Sequence, residues 1–195
     1  MAARTVDRRV QRTRRLLRDA LMSLVQEKGF EELSVQDIID RADVGRATFY
    51  AHFDNKEDLL LSGLEELRIS LKERQRQALS RGGANDERVL AFTHEMFVHA
   101  SQHRDVFRSM VGKHSGAAIQ RSFHKMLVDL VREEVMTATT PRGAASAACE
   151  PIIEFIAGGL FGLVMWWVSG KARPSVEEVN SLFRRLAIPA IRAAS

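Results

Sequence analysis

Side chains that donate hydrogen bonds are concentrated in one short segment, GRATFYAHFDNKEDLL, at positions 45–60. They recur at close intervals: Arg46, Thr48, Tyr50, His52 and Lys56. Arginine pairs well with the O6 and N7 atoms of guanine, and hydroxyl, imidazole and ammonium groups bind phosphate oxygens. Phe49 and Phe53 lie four residues apart, as on one face of a helix. The spacing therefore predicts a short helix with its phenylalanines turned inward and its polar groups turned outward.

The elements that must hold this helix precede it in the chain. An apolar stripe at helical spacing predicts a first helix: Leu17, Leu21, Leu24 and Val25. Gly29 ends that helix, and Ser34 with Asp37 has the spacing of a capping box that opens a second helix. Asp43 and Gly45 break the second helix before a third over residues 46–53. Short helices joined by a tight turn and braced by another form the helix-turn-helix frame, which places one helix in the major groove of DNA.

A long fourth helix follows at once. Asp54 with Glu57 is a further capping pair that opens it, and apolar residues at helical spacing continue it to about residue 79. The stretch SRGGAND, residues 80–86, has the composition of a linker. We expect an all-α fold of about nine helices, with a three-helix DNA-binding domain over residues 1–60 and a larger helical domain over residues 61–195.

Residues 14–60 resemble the DNA-binding domain of the TetR family of transcriptional regulators. The matching features are the Gly29-Phe30 pair, the helix from Ser34, the turn at 43–45, and the run Thr-Phe-Tyr-x-His-Phe followed by x-x-Lys-Glu-x-Leu-Leu. The resemblance implies a transcriptional regulator, expected to be a repressor, that binds double-stranded DNA at a palindromic operator as a homodimer.

The resemblance also implies roles for individual residues. Gln36 and Arg46 are the candidates for base contact. Phosphate contacts are expected from Ser34, Thr48, Tyr50, His52 and Lys56. Gly45 stands where the family often has serine or another polar residue, so a hydroxyl contact at the start of the reading helix is not expected.

Helical stripes rich in methionine and phenylalanine recur through the rest of the chain. In the TetR family such helices bind a small effector, but the same stripes also suit a plain core, and methionine suits an adaptable pocket. The candidates for contact with an apolar effector are Met96, Phe97, Phe107, Met110, Phe123, Met126, Phe155 and Trp166.

The last two helices of the family form the dimer interface. Gly158 and Gly162 lie four residues apart and share a face on which another backbone could approach closely. The expected interface residues are Gly158, Gly162, Leu182, Phe183 and Leu186. The uncharged run over residues 155–168 is shorter than the roughly 20 residues that cross a bilayer, so we expect a buried core helix and no membrane partner.

The charge distribution favours a polyanionic partner. The net charge is +4, and residues 1–18 hold seven arginines against Asp7. This segment is either a solvated disordered tail or an arm that reaches adjacent phosphates or the minor groove, and the neighbouring helix-turn-helix favours the arm. Cys149 is the only cysteine, which excludes an intrachain disulfide and suits a reducing, cytoplasmic location.

Few residues suggest catalysis or metal binding. His99 and His103 have the i, i+4 spacing of metal ligands, but no third ligand accompanies them. Cys149 could be a redox switch, although an inert thiol is the commoner role of a lone cysteine. The chain has no glycine-rich phosphate loop or nucleophile elbow, so we expect no enzyme, metal or cofactor. The expected function is a DNA-binding regulator released by a small apolar effector. The alternative is a similar regulator controlled by a protein partner and lacking a small-molecule pocket.

Overall fold

The computed structural model describes residues 2–80, 88–109, 116–139, 146–170 and 174–193, and within these ranges every regular element is an α-helix. In chain order the helices are α1 (Ala2–Lys28), α2 (Val35–Ala42), α3 (Arg46–Tyr50), α4 (Lys56–Ser80), α5 (Phe92–Gln102), α6 (Arg104–Ser109), α7 (Gly116–Thr139), α8 (Ser146–Ser169) and α9 (Val176–Ala193). The predicted all-α fold is confirmed. Most of the predicted linker at 80–86 lies outside the described residues.

The first three helices and the start of α4 enclose the N-terminal core. Its buried side chains include Leu17, Leu21, Leu24, Phe30, Ile38, Phe49, Phe53 and Leu59. Gly29 ends α1 with a φ of 78°, and its N–H donates to the carbonyl of Val25 at 2.9 Å. Ser34 and Asp37 form the predicted capping box, and Asp43 ends α2 in the left-handed region with a φ of 52°. These stops fix the turn that sets α3 against α2.

The reading helix α3 is shorter than predicted. It spans Arg46–Tyr50 rather than residues 46–53. The chain nevertheless stays coiled beyond it, because the N–H groups of His52 and Phe53 both donate to the carbonyl of Phe49 at 2.9 Å.

The start of α4 corrects the predicted cap. Asn55, and not Asp54, supplies it, because its Oδ1 accepts the N–H of Asp58 at 2.8 Å. The carboxylate of Asp58 in turn accepts the N–H of Asp54 at 3.1 Å, so Glu57 takes no part. Asparagine and aspartate are similarly good N-caps, so the sequence pattern could not separate two candidates one residue apart.

The C-terminal helices pack around α8. Helices α5, α6, α7 and α9 contact α8, and α5 also contacts α4 and α9. Ser175 and Glu178 cap the start of α9 as predicted, with the N–H of Ser175 donating to Glu178 Oε2 at 2.7 Å.

Helix α4 belongs to both parts of the molecule. It crosses the predicted boundary at residue 60 and contacts α1 on one side and α5 and α7 on the other. Its 25 residues span about 37 Å at 1.5 Å per residue. The N-terminal part is therefore joined to the C-terminal part by a continuous helix.

Helix α8 is longer than the apolar run that predicted it. Residues 149–169 are long and apolar enough to cross a membrane by length and composition, but core helices pass the same test. Its contacts with four other helices are those of a core helix. Only 39% of the apolar window is buried, so α8 also leaves apolar surface uncovered.

Candidate nucleic-acid interface and interdomain cavity

The residues predicted to contact DNA include a group at the surface of α2, α3 and their flanking turns. The exposed or half-buried members are Ser34, Gln36, Arg46, Thr48, Tyr50 and His52. Phe49 and Phe53, with exposed fractions of 0% and 2%, turn into the core behind them. The segment thus has the two-sided form that its spacing predicts.

The two candidates for base contact are neighbours in space. Arg46 Nη1 donates to Gln36 Oε1 at 3.5 Å, and Gln36 Nε2 donates to Asp40 Oδ1 at 2.7 Å. The guanidinium also lies 5.8 Å from the ring centroid of Tyr50. Asp40 therefore orients the amide of Gln36, a role that the sequence reasoning missed. Its i, i+4 spacing from Gln36 was the available signal.

Helix α2 is held firmly against α1. Arg41 donates from both terminal nitrogens to the carboxylate of Glu27, at 2.7 and 2.6 Å. Lys28 contacts Asp37 at 2.9 Å. The hydrogen bond from Lys28, followed by those from Ser34, holds the pKa of Asp37 well below its usual range. The Ser34 hydroxyl is engaged with Asp37 at 2.6 Å, so any phosphate contact from Ser34 must share it with the cap.

Lys56 has a different role from the predicted phosphate contact. Its ammonium donates to the carbonyls of Phe30, Glu31 and Leu33 at 2.9, 3.1 and 2.7 Å. It also lies 4.8 Å from the ring centroid of Phe30. An ammonium has three N–H donors, and all three are used within the domain. Lys56 thus ties the loop between α1 and α2 to the start of α4.

The basic N-terminal segment is helical. Its described exposed arginines are Arg8, Arg9, Arg12 and Arg15. The guanidinium of Arg14 lies 5.1 Å from the ring centroid of Phe53, directly after the reading helix. The arm therefore leaves the domain close to the surface that carries the candidate base contacts.

A partly enclosed cavity of about 300 Å³ lies between the N-terminal and C-terminal helices. Its lining residues lie on α1, α4, α5, α6 and the turn between α5 and α6: Arg18, Asp19, Met22, Leu60, Gly63, Leu64, Glu66, Leu67, Ser70, Glu95, His99, His103, Val106 and Phe107. An ion pair between Arg18 and Glu66 joins α1 to α4 at this cavity.

The two histidines weighed as metal ligands lie side by side in the cavity wall. The ring centroids of His99 and His103 are 4.4 Å apart, and His99 meets the ring of Phe107 edge-on. Burial, with a smaller effect from His103, lowers the pKa of His99 to about 4. Burial also lowers the pKa of His103. Both rings are therefore neutral at pH 7. Across the described ranges, no group of three His, Cys, Asp or Glu side chains could hold a metal ion.

The predicted effector contacts inside the C-terminal domain have different locations. Phe107 lines the interdomain cavity, whereas Met96, Phe97 and Phe123 are fully buried core residues outside its wall. Met126 lies in a separate groove between α4 and α7. Met110 lies outside the described residues. The hydrophobic pattern located the core but could not show where its packing leaves space.

Phe155 and Trp166, also predicted to contact the effector, lie at the surface, with exposed fractions of 66% and 54%. This corrects their assignment to an interior pocket. Together with other residues of α8 and α9 they line an apolar groove at the surface, here called the α8–α9 face: Phe155, Gly158, Gly159, Gly162, Leu163, Trp166, Leu182, Phe183 and Leu186. Phe183 forms its floor, with an exposed fraction of 4%. All five predicted dimer-interface residues belong to it. A Cβ atom added at Gly158 or Gly162 would meet nothing within 4 Å.

Comparisons with known proteins agree with this architecture. Residues 17–62 match the family model described as bacterial regulatory proteins, tetR family, and residues 87–188 match that of a transcriptional regulator C-terminal region. A curated relative, an uncharacterized HTH-type transcriptional regulator of Haemophilus influenzae, is 29% identical over 109 residues, covering 55% of this chain and 53% of the relative. The chain thus spans about half the length of that relative.

Two crystal structures share the fold at low sequence identity. A TetR-family transcriptional regulator from Syntrophomonas wolfei is 20% identical with a TM-score of 0.76, covering 93% of this chain and 96% of that one. The TetR-family repressor FadR of Thermus thermophilus, in complex with lauroyl-CoA, is 18% identical with a TM-score of 0.63, covering 91% and 94%. One family model matches the helix-turn-helix and the other matches more than half of the chain. The chain therefore belongs to the TetR family of transcriptional regulators, whose members are DNA-binding transcription factors and not enzymes.

Proposed function

We propose that the protein is a cytoplasmic, homodimeric repressor that binds a palindromic operator and is released from it by a small apolar effector. One helix carries the proposal. Helix α4 begins beside the reading helix, and its middle turns line the interdomain cavity. A molecule in that cavity would contact the same rigid element that supports the reading helix.

The DNA-binding part of the proposal rests on the exposed polar side of α2 and α3. Gln36 and Arg46 are assigned to base edges because they are exposed, adjacent and able to form paired hydrogen bonds. Phosphate contacts are assigned to Ser34, Thr48, Tyr50 and His52. Lys56 is left out of this set because its ammonium is occupied by three carbonyls.

The dimer part rests on the α8–α9 face. Phe155, Trp166 and Leu186 are each more than half exposed, and contiguous apolar surface of this kind marks an interaction site. A glycine inside a helix costs about 1 kcal/mol relative to alanine. A Cβ atom at Gly158 or Gly162 would meet no described residue beyond its own helix backbone within 4 Å, so close approach of a second copy is the reason we assign to them. Two-fold pairing of this face would form a four-helix contact.

The effector part rests on the cavity. A regulator controlled only by a protein partner needs no space between its domains, whereas this cavity of about 300 Å³ is in the size range of small-molecule sites. The FadR structure holds lauroyl-CoA, which supports small-molecule binding by this fold.

The proposal is tested by selecting bound sequences from random duplex DNA with the full-length protein. We expect a palindrome whose half-sites lie about 34 Å, or a multiple of one helical turn, apart. Enrichment of a single unrepeated half-site would contradict the dimer, and no enrichment would contradict sequence-specific binding.

A further inference from the structure

We propose that the interdomain cavity takes a ligand with an apolar body and one positive charge, of the alkylamine class. The inference rests on the proposed function in one respect, since it takes this cavity as the effector site. It adds the charge of the ligand to that proposal.

The apolar body is matched by three walls of the cavity. Met22 comes from α1, Leu64 and Leu67 from α4, and Val106 and Phe107 from α6. Burial of apolar surface against these side chains would supply most of the binding free energy. It does not distinguish between head groups, so the charge must be argued from the polar lining.

The charged lining is predominantly acidic. It contains the carboxylates of Asp19, Glu66 and Glu95, and the guanidinium of Arg18. Arg18 pairs with Glu66, and Asp19 pairs with Arg15, which lies outside the lining. Glu95 is therefore the carboxylate of the lining that these ion pairs leave uncompensated. Glu95 is half-buried on α5, and no ion pair or hydrogen bond accompanies its carboxylate among the described residues. It is therefore the natural partner for a cationic head group.

The histidines extend the site that Glu95 begins. Glu95, His99 and His103 follow one another at intervals of four residues and lie on one stripe of the cavity wall. Burial keeps both imidazoles neutral, so they do not repel a cation. Each neutral ring has one nitrogen that accepts a hydrogen bond. The stripe thus offers a carboxylate and two acceptors to an ammonium group.

An anionic ligand would be poorly matched. The single arginine of the cavity lining is already paired with Glu66, whereas the carboxylate of Glu95 has no ion pair among the described residues. Coenzyme A carries several negatively charged phosphates, so the lauroyl-CoA of the FadR neighbour is not the kind of ligand that this wall favours. Shared fold does not imply a shared ligand.

The test uses three probes with the same eight-carbon chain: octylammonium, 1-octanol and octanoate. Binding to the full-length protein is measured by isothermal titration calorimetry at pH 7. We expect octylammonium to bind at least about tenfold more tightly than octanoate, with octanol between them. Tighter binding of octanoate, or binding of none of the probes, would overturn the inference.

The role of Glu95 is tested by Glu95→Gln, which keeps the size of the side chain and removes its charge. We expect this variant to bind octylammonium about tenfold more weakly and to bind octanol as before. Glu154→Gln is the matched control, because Glu154 is exposed on α8 and does not line the cavity. Unchanged octylammonium affinity in a folded Glu95→Gln protein would overturn the assignment.

Operator DNA separates this inference from the proposed function. Octylammonium that binds through Glu95 without weakening operator binding would support the cationic site and contradict the effector role. Preferential binding of octanoate that released the operator would contradict the cationic site and support the effector role. Release by octylammonium, lost in Glu95→Gln and kept in Glu154→Gln, would support both.

Discussion

Arg46 and Lys56 are both basic residues beside the turn of the helix-turn-helix, yet their surroundings assign them opposite roles. Arg46 is exposed, and its guanidinium contacts the side chains of Gln36 and Tyr50. Lys56 is turned into the domain and bound by three carbonyls more than twenty residues away in the chain. Local spacing does not predict this difference, because the position of Lys56 depends on how α4 packs against the loop after α1.

The exposed position of Arg46 predicts a loss of sequence discrimination in Arg46→Ala. An arginine that pairs with a base contributes on the order of 1–3 kcal/mol to the preferred site. We expect that loss on the selected operator and little change on random duplex DNA, measured by fluorescence anisotropy at fixed salt. Thr48→Ala is the comparison, since removal of a phosphate contact weakens binding to both DNAs alike. Equal losses on both DNAs in Arg46→Ala would contradict base contact.

The three hydrogen bonds of the partly buried Lys56 ammonium predict an effect on stability. Lys56→Met keeps the aliphatic chain but removes three hydrogen bonds, leaving the carbonyls without their donor. We expect the free energy of unfolding to fall by about 1–3 kcal/mol, measured by urea unfolding. Lys125→Met, at an exposed position of α7, should change it by less than about 0.5 kcal/mol. Unchanged stability of Lys56→Met, together with a lower salt dependence of DNA binding, would instead support the predicted phosphate contact.

At the scale of elements, the sequence predicted the order and type of the helices well. Most residues that act locally were predicted correctly: Gly29 ends α1, Ser34 and Asp37 cap α2, and Ser175 and Glu178 cap α9. The cap of α4 was placed one residue too early, at Asp54 rather than Asn55. Features that depend on packing were not predicted. Phe155 and Trp166 have the composition of core residues, but only the arrangement of α7, α8 and α9 shows that they face outward. The cavity was likewise unpredictable, because its walls come from helices distant in the chain.

The helical form of the N-terminal arm predicts an extended DNA footprint. Arg8, Arg9 and Arg12 are exposed on α1, ahead of the part that packs in the core. We expect the triple change of these residues to glutamine to lower the slope of log K against log salt by about 2–3 units, at roughly 0.9 for each phosphate that is no longer neutralised. Glutamine preserves helix propensity. The control is Arg74→Gln, at an exposed position of α4, which should leave the slope unchanged. A triple variant with the same slope as the wild-type protein would show that the arm does not bind DNA.

At the scale of the whole molecule, the α8–α9 face predicts that Gly162→Glu abolishes the dimer. A Cβ atom at this position meets no described residue beyond its own helix backbone within 4 Å, so the monomer should fold. Against a second copy it places a charge in close apolar packing, which is costly unless paired. Sedimentation equilibrium should show monomers with weak palindrome binding. The control variant Ala118→Glu adds the same charge at an exposed site on α7 and should remain dimeric. A dimeric Gly162→Glu protein would contradict this interface.

The remaining prediction concerns how the cavity controls DNA binding. Gly63 lies on α4 in the cavity wall, and a Cβ there meets nothing within 4 Å. Gly63→Leu should therefore fill part of the cavity and act as a permanent effector. Helix α4 is about 37 Å long, so a pivot of about 5° moves one end by about 3 Å. In a dimer, that movement displaces both reading helices from half-sites about 34 Å apart.

We expect Gly63→Leu to lower operator affinity by a factor within the usual range of allosteric coupling, about 5- to 150-fold, without any added ligand. Gly63→Ala adds only a methyl group to the same position and should keep wild-type affinity. Both variants should unfold at or above the wild-type temperature, because each replaces a helical glycine. By linkage, operator DNA should weaken octylammonium binding to the wild-type protein by the same factor as octylammonium weakens operator binding. A folded Gly63→Leu protein with wild-type operator affinity would show that occupancy of this cavity does not move the reading helices.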